Sequence, residues 1–104
     1  MLREMSLRIA VPEADLAALC RRHRIQRLAL FGSVLREDFT PASDVDVLVE
    51  FEPGTRLSLF GMARIENDLS DLLGWKVDLH EPQSLLPALR DRILGAAREV
   101  YVAA

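Results

Sequence analysis

Three aspartates interrupt two apolar segments of this chain. Asp44 and Asp46 are separated by one residue at the start of DVDVLVEF (44–51). Asp78 lies inside a second apolar stretch, VDL (77–79). Because side chains alternate between the two faces of a strand, Asp44 and Asp46 share a face at a spacing of about 6.6 Å. At an effective dielectric constant of about 20, their repulsion amounts to about 2–3 kcal/mol. The pattern therefore indicates either a screened strand end or a site for a divalent cation.

The side chains around these aspartates favour one kind of cation. Carboxylate oxygens suit Mg²⁺ or Mn²⁺, and no pair of Cys or His residues stands nearby to favour Zn²⁺. If the two apolar strands are neighbours, Asp78 can face the same cation as Asp44 and Asp46. The alternative for Asp78 is a surface position on an edge strand. His80 follows Asp78 by two residues and can share its face, but we predict that it lies outside the site.

A glycine–serine pair precedes the aspartates. Gly32 ends a short apolar strand, Ser33 follows it, and Arg36 stands one turn later. A glycine at a strand end before a helix leaves backbone N–H groups free at the positive end of the helix dipole, and such a corner suits a phosphate. Ser33 can add a hydroxyl donor or simply cap a short helix over 34–37. Arg36 can reach a phosphate or pair with Asp38.

The composition is that of an ordinary globular domain. Half of the 104 residues are hydrophobic, 28% are charged, and the formal net charge is −3, so we expect a single domain over residues 1–104. The acidic balance argues against direct nucleic acid binding, which needs a basic surface. The one cysteine, Cys20, has apolar neighbours and indicates a packing role in a reducing cytoplasm. No apolar run approaches membrane-spanning length, so we expect a cytoplasmic protein that does not bind a membrane.

Apolar periodicity and turn formers predict alternating helices and strands. The predicted strands cover residues 27–31, 44–51 and 75–80. The predicted helices cover residues 12–24, 57–73 and 84–100, the last in one or two pieces broken near Pro87. These elements predict an α/β (α+β) fold in which helices cover a small mixed β-sheet of three to four strands.

Several element ends carry more specific expectations. Gly74 should end the second long helix. Leu89, Ile93 and Leu94 should form the core face of the last helix. Residues 100–102 should form either a short edge strand or a tail.

Three segments together resemble the nucleotidyltransferase superfamily that includes the DNA polymerase β-like enzymes. The segments are Gly32-Ser33-x-x-Arg36, Ser43-Asp44-x-Asp46-x-Leu48-Val49 and Val77-Asp78-Leu79. Within that superfamily the chain is similar, over nearly its whole length, to the minimal nucleotidyltransferase (MNT) proteins of prokaryotes. The resemblance implies a polymerase β-like nucleotidyltransferase fold. Glu37 stands where the family often has glycine, and this departure bears on the loop near the phosphates.

The resemblance also implies an activity. The family transfers a nucleoside monophosphate from a triphosphate, here ATP, to a hydroxyl and releases pyrophosphate. By this resemblance, Asp44 and Asp46 hold two Mg²⁺ ions, and Asp78 binds the ion that activates the acceptor hydroxyl and receives its proton. The implied nucleotide- and phosphate-binding residues are Gly32, Ser33, Arg36 and Ser43.

A partner protein follows from the same resemblance. MNT proteins of the MntA antitoxin type pair with a small helical HEPN-type toxin, an RNase, and add AMP to one of its tyrosines. Because few residues remain for an acceptor-binding domain, we expect a partner chain or a homo-oligomer face to hold the acceptor. Two alternatives stay open: a non-catalytic antitoxin that binds the toxin stoichiometrically, and a nucleotidyltransferase acting on a small molecule or an RNA end.

Overall fold

The computed structural model describes residues 9–36, 40 and 42–103. Over these residues the chain forms three α-helices and four strands. In chain order they are α1 (Glu13–Arg22), β1 (Ile25–Phe31), β2 (Val45–Phe51), α2 (Leu59–Leu73), β3 (Val77–His80), α3 (Pro87–Ala96) and β4 (Arg98–Val102). Short 3₁₀ helices cover Gly32–Leu35 and Pro82–Ser84.

The four strands form one mixed sheet in the order β3-β2-β1-β4. β1 runs antiparallel to β2 and β4, whereas β2 and β3 are parallel. Parallel neighbours need a crossover connection, and α2 supplies it. The predicted mixed sheet covered by helices is confirmed. Residues 100–102, for which an edge strand or a tail was predicted, belong to the edge strand β4.

The main core lies on one face of the sheet, where α1 and α2 cover it. Alternate residues of the strands point into this core, and buried residues of the two helices meet them. The buried strand residues of this face include Leu28, Leu30, Val45, Val47, Val49, Val77 and Leu79, and the helices add Leu16, Leu19, Cys20, Ile65, Leu69 and Leu73. Because strand side chains alternate, Asp46, Asp78 and His80 lie on the opposite face.

Cys20 belongs to this core. Its side chain is fully buried, and burial raises the pKa of its thiol to about 12, although the charge of Arg21 opposes the rise. A thiol with so high a pKa is a poor nucleophile at neutral pH. The predicted packing role of Cys20 is confirmed.

The opposite face of the sheet has a smaller cluster beneath α3. Ala29, Phe31 and Leu48 are buried there, and Ile93 packs against them. The predicted core face of the last helix is wrong at two of its three positions, since Leu89 and Leu94 are 42% and 40% exposed.

The last helix is also shorter than predicted. It begins at Pro87, in the first helical position where proline is tolerated, and ends at Ala96. From Arg98 the chain is extended because it pairs with β1, whose backbone groups would otherwise remain unpaired at the sheet edge. This pairing determines where the helix ends, and the spacing of the apolar residues in the helix does not indicate that end.

The long helix α2 has the expected ends. Ser58 caps its N-terminus by accepting a hydrogen bond of 3.1 Å from the Gly61 N–H. Gly74 ends it in the left-handed conformation with φ 76°, which confirms the prediction at that residue. In the described ranges, no helix is long and apolar enough to cross a membrane.

Candidate metal and nucleotide site

Two aspartates from neighbouring strands face each other at the centre of the candidate site. Asp46 of β2 and Asp78 of β3 are direct partners in the parallel register. Both point to the face opposite the main core, with 29% and 50% of their side chains exposed. The structure therefore brings together two of the three aspartates that the sequence singled out.

His80 completes this group. Its Nε2 atom lies 3.1 Å from Asp78 Oδ2 and 3.6 Å from Asp46 Oδ1. One potential ligand atom from each of the three residues falls within 4.8 Å of the others. The prediction that His80 lies outside the site is wrong, because its long imidazole reaches back along the shared face toward the row of Asp46 and Asp78. The two-residue spacing from Asp78 was the available signal.

The imidazole of His80 also contacts an aromatic ring. Its ring packs edge-to-face against Phe31, with ring centroids 5.5 Å apart and an interplanar angle of 68°. Phe31 is buried in the smaller cluster and is the register partner of Asp46 on β1. The His80 ring is therefore held by its contact with Phe31 as well as by the two carboxylates.

Asp44 lies one residue outside the strand in which it was predicted. β2 begins at Val45, so Asp44 lies just before the strand and is exposed. Among the described residues, the group with closely spaced ligand atoms contains Asp46, Asp78 and His80 but not Asp44. The charge of Asp44 nevertheless reaches Asp46, since it contributes to the pKa of that residue.

The pKa of Asp46 is raised above 3.8, the value of an ordinary aspartate. Burial is the largest cause, and the negative charges of Asp78 and Asp44 raise it further, whereas the charge and hydrogen bond of His80 lower it. An ionised Asp46 is thus costly for the folded chain unless a positive charge lies beside it. Two converging carboxylates with this unfavourable charge balance fit a divalent cation that prefers oxygen ligands.

Gly32 adjoins the Asp46 carboxylate. Its φ of 78° is in the left-handed region, and a Cβ at this position would overlap Asp46 Oδ2. The sequence analysis predicted that Gly32 leaves backbone N–H groups free, but it did not predict the close approach of Gly32 to Asp46. Any other residue would have to displace the carboxylate or the turn.

Two further predicted phosphate-binding residues, Ser33 and Arg36, follow Gly32 in the chain. Ser33 lies inside the 3₁₀ helix, whose N-terminus has no side-chain cap, so the prediction that Ser33 caps a helix over 34–37 is wrong. The helix begins at Gly32, directly after β1, so Phe31 rather than Ser33 occupies the cap position. Arg36 is exposed at the end of that helix, while Asp38, its predicted alternative partner, lies outside the described residues, as does Glu37.

Ser43 closes the turn that leads to Asp44. Its hydroxyl accepts a 3.0 Å hydrogen bond from the Thr40 N–H and lies 3.2 Å from the Thr40 hydroxyl. The Ser43 N–H in turn donates to the Thr40 carbonyl at 2.9 Å. These contacts give Ser43 a role in shaping the segment just before Asp44.

Two side chains of α2 hold the strand that carries Asp78 and His80. The N–H of Val77 donates to Ser70 Oγ at 2.9 Å, and the N–H of Leu79 donates to Glu66 Oε2 at 2.8 Å. The Ser70 hydroxyl also donates to the Glu66 carbonyl at 2.8 Å. β3 is an edge strand, and these side chains satisfy N–H groups that would otherwise be unpaired there. Sequence reasoning missed both residues, because a polar position on a helix does not record which strand it meets.

Comparison with known proteins identifies the family of the chain. The sequence matches the family described as the nucleotidyltransferase domain over residues 16–100. The chain belongs to the nucleotidyltransferase domain family. This nucleotidyltransferase domain is 39% identical over 79 residues to a Methanocaldococcus jannaschii protein that has been assigned the name protein adenylyltransferase, and the match covers 76% of the chain and 83% of the relative. It is also 36% identical over 84 residues to the protein adenylyltransferase MntA of Thermococcus cleftensis, with 81% of each chain covered.

Solved structures agree with the fold of this nucleotidyltransferase domain. A minimal nucleotidyltransferase superimposes with a TM-score of 0.66 at 39% identity, over 82% of this chain and 85% of that one. A toxin–antitoxin crystal structure with AMP-PNP gives a TM-score of 0.69 at 21% identity, over 89% and 75% of the two chains. The second likeness shows the fold alone, and it agrees with the nucleotidyltransferase fold that the sequence motifs implied.

Proposed function

We propose that this nucleotidyltransferase domain transfers AMP from ATP to a side-chain hydroxyl of a HEPN-type toxin, a tyrosine, and so acts as an antitoxin. The observation that carries the proposal is the direct pairing of Asp46 with Asp78 across the parallel strands, beside the close approach of Gly32. Relatives at 36% and 39% identity named as protein adenylyltransferases support AMP as the transferred group. A fold neighbour solved as the toxin–antitoxin MntA–HepT supports a toxin as the partner.

The roles of the acidic residues follow from their positions. Two Mg²⁺ ions bound at this site would supply activation of the acceptor hydroxyl and neutralisation of charge on the entering and leaving oxygens. Asp46 would hold these ions from the start of β2, with Asp44 adding a carboxylate from the preceding turn. Asp78 faces Asp46 from β3, and it would bind the ion that activates the acceptor hydroxyl and take the proton of that hydroxyl. The acceptor oxygen then bonds to the α-phosphorus, the bond from that phosphorus to the β-phosphate oxygen breaks, and pyrophosphate leaves.

The turn after β1 would hold the triphosphate. Gly32 presents backbone without a side chain beside Asp46, so the turn can lie directly against the carboxylate that would hold the cations. Ser33 and Arg36 follow on the same turn and would supply a hydroxyl donor and a positive charge. Ser43 would contribute a second hydroxyl from the turn before Asp44. Its hydrogen bond with Thr40 already stabilises that turn.

A labelling assay tests this function. The purified chain is mixed with Mg²⁺ or with Mn²⁺, ATP labelled on the α-phosphate, and a purified HEPN-type toxin. We expect label on the toxin, and none when the label is on the γ-phosphate, because pyrophosphate carries that label away. Absence of α-label on the toxin would refute the proposal, and label on RNA or a small molecule would assign a different acceptor.

Stoichiometry separates catalysis from simple binding. An AMP transferase neutralises the toxin at well below one molecule per toxin, because each molecule acts repeatedly. Neutralisation only at equal molar amounts, and equally well by Asp46→Asn, would instead support the non-catalytic antitoxin.

A further inference from the structure

We propose that His80 is a cation ligand through Nε2, together with Asp46 and Asp78, and that this nitrogen shifts the preference of the site from Mg²⁺ toward Mn²⁺. The inference rests on the metal site of the proposed function. It is independent of the acceptor and of the group transferred.

The spacing of the three side chains fits one shared cation. Neighbouring ligands about 2.1 Å from an octahedral ion lie about 3.0 Å apart, and opposite ligands about 4.2 Å apart. His80 Nε2 lies 3.1 Å from Asp78 Oδ2 and 3.6 Å from Asp46 Oδ1. Ligand atoms of all three residues fall within 4.8 Å of one another. A cation can therefore contact all three residues after small side-chain adjustments.

The surroundings of His80 hold its ring in this place. Its backbone belongs to β3, where it is the register partner of Leu48, one row beyond the pair of Asp46 and Asp78. The edge-to-face contact with Phe31 packs the ring from the side of β1. A hydrogen bond from the N–H of the preceding residue to the Glu66 carboxylate anchors the strand next to His80. The nitrogen is thus positioned by packing and by strand pairing as well as by the carboxylates.

The chemistry of a nitrogen ligand explains the expected preference. Mg²⁺ is a hard ion that favours oxygen ligands and retains much of its water. Mn²⁺ also accepts carboxylates but tolerates an imidazole nitrogen more readily than Mg²⁺ does. Two carboxylates with one imidazole therefore form a mixed donor set that suits Mn²⁺ better than Mg²⁺.

Electron paramagnetic resonance of Mn²⁺ tests the proposal without ATP or toxin. Titration of the full chain with MnCl₂ measures the loss of the free-ion signal, and pulsed measurements detect nitrogen coupled to the bound ion. The chain has two histidines, and His23 lies elsewhere, 3.0 Å from Asp68. His23→Asn is therefore the matched control, in which His80 is the only histidine left.

We expect nitrogen coupling in the wild type and in His23→Asn, and a change from ¹⁴N to ¹⁵N coupling when His23→Asn is grown with ¹⁵N-histidine. His80→Ala should lose the coupling and bind Mn²⁺ about 10-fold more weakly, with a smaller change for Mg²⁺ measured by competition. Bound Mn²⁺ without histidine coupling, unchanged affinity in His80→Ala, or no binding to the nucleotide-free chain would each overturn the proposal. AMP transfer by a chain that fails this test would leave the proposed function standing.

Discussion

The α-carbon of Gly32 packs so closely against the Asp46 carboxylate that a Cβ at position 32 would overlap Oδ2. Gly32 also adopts a φ of 78°, which disfavours other residues independently of the space around it. The turn after β1 and the carboxylate on β2 therefore depend on each other. The proposed phosphate-binding turn and the proposed cation ligand are built as one unit.

Gly32→Ala should therefore cost more than backbone strain alone. Gly54→Ala is the matched control, since Gly54 has a φ of 84° but open space within 4 Å of the position that a Cβ would take. We expect the control to lose about 1 kcal/mol and Gly32→Ala to lose at least about 1 kcal/mol more, because the methyl group must displace Asp46. Urea denaturation in the presence of a chelator measures both losses. Equal losses in the two variants would contradict the close approach.

Asp46→Asn should stabilise the chain at neutral pH when no divalent cation is present. The folded-state pKa of Asp46 is raised, chiefly by burial, so ionising this residue at neutral pH costs folding free energy. The folded wild type binds the proton of Asp46 more tightly than the unfolded chain does. The stability of the wild type relative to Asp46→Asn therefore rises as the pH falls through the raised pKa of Asp46. Urea denaturation in a chelator at pH 7.5 and pH 4.5 measures this difference.

A control and a contrary outcome define that test. Glu50→Gln removes a carboxylate from the same face of β2. Glu50 is partly exposed, and its Oε2 atom lies 3.9 Å from a guanidinium nitrogen of Arg27, so this ion pair is weak. We expect no comparable gain from it. Asp46→Asn that is less stable than the wild type at pH 7.5 in chelator would show that ionised Asp46 is favourable in the folded chain.

The face of the sheet that carries Asp46 and Asp78 could be predicted from the sequence, because strand alternation follows from covalent geometry. Their register could not, since it depends on how α2 returns the chain beside β2. The same limit explains Asp44 and His80. Alternation grouped Asp44 with Asp46, but the strand begins one residue later, and the reach of the His80 ring became clear only with β3 beside β2.

The last helix shows a second limit. Its apolar spacing is weak, and tertiary pairing of β4 with β1 decides where it ends. By contrast, Gly74 ends α2 as predicted, because a left-handed helix end has a strong local preference for glycine. The local signal at Gly74 was thus readable from the sequence, whereas the contact between β4 and β1 was not.

Glu66→Ala should loosen β3 because it removes the acceptor of the Leu79 N–H. We expect a loss of about 1–2 kcal/mol in the free energy of unfolding and faster hydrogen exchange at the Leu79 amide. Glu66→Gln keeps an acceptor oxygen and should behave nearly like the wild type. Unchanged exchange at Leu79 in Glu66→Ala would show that the side chain does not hold the strand.

Leu69→Ala should destabilise the main core beneath α2. Leu69 is fully buried, and its truncation should cost about 2–5 kcal/mol. Leu59→Ala on the same helix is the control, because Leu59 is 88% exposed and its loss should change stability by less than about 0.5 kcal/mol. Similar melting temperatures for the two variants would contradict the packing of α2 on the sheet.

The measurement that tests the central claim most directly is the rate at which AMP labelled on its phosphate passes from ATP to the toxin. The variants to compare with the wild type are Asp46→Asn and Asp78→Asn. Glu50→Gln is the control, because Glu50 lies on the same strand as Asp46. Because Asp46 and Asp78 are register partners at one site, each substitution should lower the initial rate by about 100- to 1,000-fold, while Glu50→Gln should transfer at nearly the wild-type rate. Transfer by either aspartate variant at the wild-type rate would contradict the proposed role of the Asp46–Asp78 pair.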